Sequence, residues 1–63
     1  MWMVIYMAKG KELIMAVQEL LTDAWLAVRI RPIGGEKDNG YFEILVPETE
    51  AQIAHMKLLR YGF

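Results

Sequence analysis

Several side chains in this chain have types and spacings that can do chemistry. His55 is the single histidine, and imidazole is the side chain that ordinarily titrates near neutral pH, so it is the natural candidate for a general base. A base needs a nucleophile or an orienting acid in reach, and no neighbour in the sequence supplies one. Lys9-Gly10-Lys11 combines two cations with a glycine just ahead of a helical pattern. Backbone N–H groups at such a point attract anions, which makes Lys9, Gly10 and Lys11 a candidate anion-binding segment. The full glycine spacing of a phosphate loop is missing. Arg29 and Arg31 with Trp25 and Tyr41 are the residue types of a stacking platform for single-stranded nucleic acid. Interspersed glutamates and a net charge of −1 oppose the field that backbone binding requires. Glu48 and Glu50 are paired carboxylates, but their place at a helix start explains them through the helix dipole. No catalytic residue, cofactor site or metal site is expected.

The elements that must position these residues follow from hydrophobic periodicity. Trp2-Met3-Val4-Ile5-Tyr6-Met7 reads as a buried strand, broken by Ala8-Lys9-Gly10. From Lys11 to about Ala24 the period becomes helical. Leu13, Ala16, Val17, Leu20 and Leu21 are expected on one face, with Glu12, Met15, Gln18, Glu19 and Thr22 opposite. Trp25 to Arg31 alternates, with Leu26, Val28 and Ile30 on one side, and Pro32 is expected to close the strand. Ile33 to Gly40 is turn chemistry, Asn39-Gly40 above all, and the Gly34–Gly40 stretch is a polar loop open to partners. Tyr41 to Val46 is a third strand, forming a hairpin with the second.

Pro47-Glu48-Thr49-Glu50 marks a second helix start, with Thr49 and Gln52 at capping-box spacing. That helix should run to about Arg60 with two apolar stripes. Ala51, Ala54, Leu58 and Tyr61 suit close packing on a sheet, whereas Ile53, Met56 and Leu59 lie elsewhere on the helix. Only one stripe can face the core fully. The second is either a contact surface or a helix–helix contact within the chain.

Sixty-three residues make one domain, 1–63, whose stability is marginal because so little surface is buried. Small domains compensate with disulfides, metals or oligomerisation. With no cysteine and one histidine, oligomerisation remains. Hydrophobic residues make up 56% of the chain, more than a small sphere with little interior should need. Either a dense core with scattered exposed apolar groups or an apolar face kept for a partner accounts for the surplus, and the surface-to-volume argument favours the second. The longest apolar run, Met1 to Ala8, is far short of the ~20 residues of a membrane span. It lacks a basic leader pattern, so a cytoplasmic location is expected.

A strand, a helix and a parallel strand require a right-handed crossover. The third strand then either pairs outside the second or slots between first and second. We favour the latter: an α+β fold of β-α-β-β-α order, a truncated ferredoxin-like arrangement. Its three-stranded antiparallel sheet has order 1-3-2, with two helices on one face. The other face would be bare and carry Trp25, Ala27, Arg29, Arg31, Tyr41, Glu43 and Leu45, with Arg29 and Arg31 placed to pair with Glu43. Aromatics and arginines are the types enriched at interface hot spots. The first strand, including Trp2, would be an exposed apolar edge. A homodimer through that edge, the bare face or both is expected. The candidate interface residues are Trp2, Trp25, Arg29, Arg31, Tyr41, Glu43 and Leu45, together with Ile53 and Met56 of the second stripe.

Val4-Ile5-Tyr6, Ile30-Arg31-Pro32, Glu43-Ile44-Leu45-Val46-Pro47-Glu48 and Ala54-His55 resemble a family of small bacterial domains of unknown function catalogued as signal-transducing proteins. The resemblance spans nearly the whole chain and rests mainly on strand and helix-start residues. It implies a β-α-β-β-α domain with no enzymatic residues to carry over. The family pattern usually has a glycine between first helix and second strand, where this chain has Trp25. The first helix is therefore expected to end differently here. The function expected is a non-enzymatic regulatory or protein-interaction module acting as a homodimer, with an unknown protein or a small anionic ligand as partner. The alternative is a small enzyme or enzyme subunit whose site forms only between two copies, from Lys9, Lys11 or His55.

Overall fold

Strand-forming residues occupy both ends of the first two-thirds of the chain, and a helical pattern separates them. The computed structural model, which describes residues 1–33 and 40–63, shows how they assemble. Strand β1 (Trp2–Lys9) leads into helix α1 (Lys11–Asp23), then strands β2 (Arg29–Ile33) and β3 (Tyr41–Pro47). A 3₁₀ turn over Glu48–Glu50 feeds helix α2 (Ala51–Arg60). The sheet is antiparallel with order β1-β3-β2, so the third strand does slot between the first two. The fold is α+β, as the periodicity and the crossover rule imply. None of the described helices is long and apolar enough to cross a membrane.

The core lies between the sheet and the helices. Ile14, Val17 and Leu21 of α1 and Ala54 and Leu58 of α2 bury against Ala8, Ile44 and Val46. Each large aliphatic side chain so buried stabilises the fold by about 1.5–3 kcal/mol. Phe63 closes one margin, its ring edge-on to Tyr6 at 6.1 Å. The α1 face differs from the expected one: Ile14 is buried, while Leu13 and Ala16 are exposed. The buried arc of Ile14, Val17 and Leu21 centres on Leu21, about 80° from Leu13 and about 140° from Ala16 around the helix, so both fall off it. On α2, Tyr61 is 60% exposed rather than part of the packing stripe, because the helix ends one residue before it.

Strand boundaries also move. β1 includes Ala8 and Lys9, paired with Phe42 and Tyr41, because the break needs the positive φ of Gly10 and not merely a small residue. β1 carries a bulge between Val4 and Tyr6, so Ile5 and Tyr6 both pack on the core. A bulge inserts one residue and reverses the alternation. Trp2 and Val4 stand opposite Pro47 and Leu45 before it, Met7 and Lys9 opposite Glu43 and Tyr41 after it. β2 begins only at Arg29 and continues through Pro32 to Ile33. Proline is tolerated there because β2 is an edge strand with a free side. The expected loop and Asn39-Gly40 turn fall on residues 34–39, outside the described residues. Gly40 is buried, and its carbonyl accepts a hydrogen bond from the Gly10 N–H at 3.1 Å.

The two helices end alike. In α1 the Leu26 N–H donates to the Leu21 carbonyl (3.1 Å) and the Trp25 N–H to that of Thr22 (2.9 Å). In α2 the Phe63 N–H donates to Leu58 (2.9 Å) and the Gly62 N–H to Leu59 (3.2 Å). Both are the paired 6→1 and 5→2 bonds of a Schellman motif, whose C′ residue is left-handed. Gly62 adopts it at φ 84°, Trp25 at φ 65°. The helix start is simpler than its spacing promised. Thr49 and Gln52 form no capping box: α2 begins after the 3₁₀ turn, with Glu50 at the N-cap and no side-chain cap. Glu50 instead accepts the Ala27 N–H at 3.0 Å, tying the approach to β2 onto the start of α2.

Candidate interaction surfaces

The side of the sheet away from the helices is built from cross-strand tiers. Leu45 sits between Val4 and Arg29, Glu43 between Met7 and Arg31, and Tyr41 between Lys9 and Ile33. Arg31 and Glu43 meet as expected, with Nε donating to Oε1 at 2.8 Å and Nη2 at 2.7 Å from the same oxygen. With Arg31 largely exposed, such a pair contributes about 0.2–1 kcal/mol. Arg29 does not join it. Its guanidinium carbon lies 4.3 Å from the Trp2 ring centroid, a cation–π contact of about 0.5–1 kcal/mol near the surface. This contact joins the two edge strands at the level of Leu45, which is 5% exposed although it lies outside the helix-covered core. Leu45 is therefore buried within the chain, with Val4 and Arg29 beside it across the strands, and does not offer the contact surface expected of it. The exposed surface on this side includes Met7, Tyr41 and the outer parts of Trp2, Val4 and Arg29.

Trp25, expected on the bare sheet face, lies outside the sheet instead, just past the end of α1 and four residues before β2 begins. It is 94% exposed and left-handed at φ 65°. That conformation costs a non-glycine residue roughly 1–2 kcal/mol. The helix thus ends in the glycine geometry without the glycine, and the expectation of a different ending is corrected. The side chain returns almost nothing in burial. The strain is therefore not offset by packing of the side chain.

The helix side carries a second exposed face. Ile53, Met56 and Leu59 of α2 are exposed, so the second stripe is not spent on packing inside the chain. Ile53 and Met56 line a shallow groove with Lys57 and Arg60.

The chemistry-bearing residues do not converge. Lys9 lies on the open sheet side, paired with Tyr41. His55 is exposed on α2, which covers the other side. One self-complementary contact between two copies uses one patch, so it cannot gather both. At the start of α1 the Gly10 N–H is already taken by Gly40, which removes a donor from the candidate anion segment Lys9, Gly10 and Lys11. Among the described residues no group of three His, Asp or Glu side chains is placed to hold a metal ion.

Sequence reasoning missed the Trp2–Arg29 pair and the exposure of Met7. Trp2 carried the strand-end aromatic signal, but the bulge that sets β1's facing has no marker residue. No family model, no curated protein and no solved structure matches this chain.

Proposed function

We propose that this chain is a non-enzymatic regulatory or protein-interaction module acting in the cytoplasm as a homodimer, of the kind its resemblance to the small bacterial signal-transducing family implies. The observation that carries the reading is the amount of apolar surface left exposed. Among the described residues thirteen large hydrophobic side chains are exposed, beside nine buried hydrophobics and nine partly buried ones packed on the core. Scattered exposed apolar residues are ordinary. Seven of the thirteen are grouped, Trp2, Val4, Met7 and Tyr41 on the sheet face and Ile53, Met56 and Leu59 on α2, and grouped exposed apolar residues are what interaction sites look like.

The two sheet edges are the weaker places for a second copy. β1 is bulged and ends in Lys9; β2 is five residues long and contains Pro32. Bulges, lysines, prolines and short strands are the devices that keep edges from pairing. The two faces are the stronger places, one for a second copy and one for a partner. Trp2 and Tyr41 make the sheet side the partner surface, since exposed aromatics near arginines are hot-spot types.

Light scattering tests the reading. A dimer at micromolar concentration supports it, and a monomer at that concentration rejects it.

A further inference from the structure

Net charge near zero hides an asymmetry between the helices. On α1 every charged residue after Lys11 is acidic, namely Glu12, Glu19 and Asp23, with no base in its last turn. On α2 there is no acid; Lys57 and Arg60 occupy its last turn. Each helix also presents exposed apolar surface beside its charges. Met15 lines a shallow groove with Glu19 and Asp23, and Ile53 and Met56 line one with Lys57 and Arg60. No ion pair joins Glu19 or Asp23 to Lys57 or Arg60 within the chain. Opposite charges on neighbouring helices of one layer, left unpaired, are two halves of one contact.

We propose that the homodimer forms through the helix layer, with the acidic apolar face of α1 on each copy set against the basic apolar face of α2 on the other. This rests on the homodimer reading above and names its surface. A two-fold contact must be self-complementary, so that residue i meets j while j meets i. One acidic face and one basic face per copy satisfy that twice over. The area is sufficient. Leu13, Met15, Ile53, Met56, Leu59 and Tyr61 are 40–63% exposed. At roughly 200 Å² per large side chain they offer on the order of 650 Å², most of the ~800 Å² per partner of a standard interface. Like-charge clashes would also reject the layer's pairing in the wrong register. The arrangement leaves the sheet face, Trp2 and Tyr41 included, free for the second partner.

The test is a charge swap. Lys57→Glu/Arg60→Glu makes both helices acidic, and Glu19→Lys/Asp23→Lys makes both basic. Glu19, Asp23 and Arg60 are exposed and Lys57 half-buried, so each variant should keep the parent's circular dichroism. Sedimentation equilibrium should show each variant alone dissociating at least ~100-fold more readily than the parent, since the like-charge contact occurs twice. An equimolar mixture should restore the dimer as a heterodimer, in which both contacts again join opposite charges. A parent dimer that both variants leave intact overturns the assignment to the helix layer while the homodimer stands. Failure of the mixture to re-associate overturns it too. A monomeric parent overturns the homodimer reading itself. Independently of any variant, raising NaCl to about 1 M should weaken the parent dimer by screening; an unchanged dissociation constant contradicts the proposal.

Discussion

Replacing Trp25 with glycine should stabilise this protein, although it deletes the chain's largest kind of side chain. Trp25 holds φ 65° at the C′ position of α1 and is 94% exposed. About 6% of its surface is hidden, on the order of 15 Å² of a ~250 Å² side chain. At ~25 cal/mol per Å² that burial contributes about 0.4 kcal/mol. Relieving the left-handed strain returns about 1–2 kcal/mol. The freer unfolded chain of a glycine variant takes back about 0.4–1 kcal/mol. The net is a gain of about 0.4 kcal/mol over the parent.

Trp25→Ala isolates the backbone effect. It forfeits the same burial but keeps the strain, so glycine should exceed alanine by about 0.8 kcal/mol, or roughly 3–6 °C in Tm. Urea unfolding followed by far-ultraviolet circular dichroism reads this directly, with an unchanged denaturant slope required for the comparison. If the glycine variant is no more stable than the alanine variant, the strain argument fails.

Gly62 supplies the mirror experiment. It has the same role at φ 84°, and a Cβ there would meet nothing within 4 Å, so Gly62→Ala should destabilise by about 0.8 kcal/mol through conformation alone; an unaffected Tm would contradict this. Leu21→Ala removes a fully buried side chain at the centre of the core and should cost about 2–5 kcal/mol. A domain of this size holds only about 3–9 kcal/mol in total, so the variant should lose much of its folded population, seen as collapsed dispersion in a proton NMR spectrum. A folded, cooperative Leu21→Ala spectrum would contradict the described core.

Element order and sheet order were legible because each rests on a local pattern plus a chirality rule. Leu26, Val28 and Ile30 do point to the core as their alternation required, and the right-handed crossover left few topologies. The misjudged details depend on contacts distant in sequence. The start of β2 was placed at Trp25 because nothing in a tryptophan announces a left-handed turn; a glycine there would have. The Trp2–Arg29 contact at the level of buried Leu45 joins residues 27 positions apart, a span that no window of periodicity contains. The bulge at Ile5 is set by pairing with β3 and by core packing, so alternation alone could not date the switch from even to odd residues. Of the candidate contact residues, Ile53 and Met56 were legible from helical spacing, since a second stripe cannot be buried once Ala54 and Leu58 are. The charge division between the helices was present in the sequence but gained meaning only when both helices lay in one layer.

The exposed apolar faces support one proposed claim, that this domain works by contact with a second copy. Sedimentation equilibrium of the parent protein at micromolar concentration tests that most directly. The account predicts a mass twice the 7.3 kDa of the chain, falling towards the monomer on dilution. A mass of 7.3 kDa across the whole concentration range would contradict it.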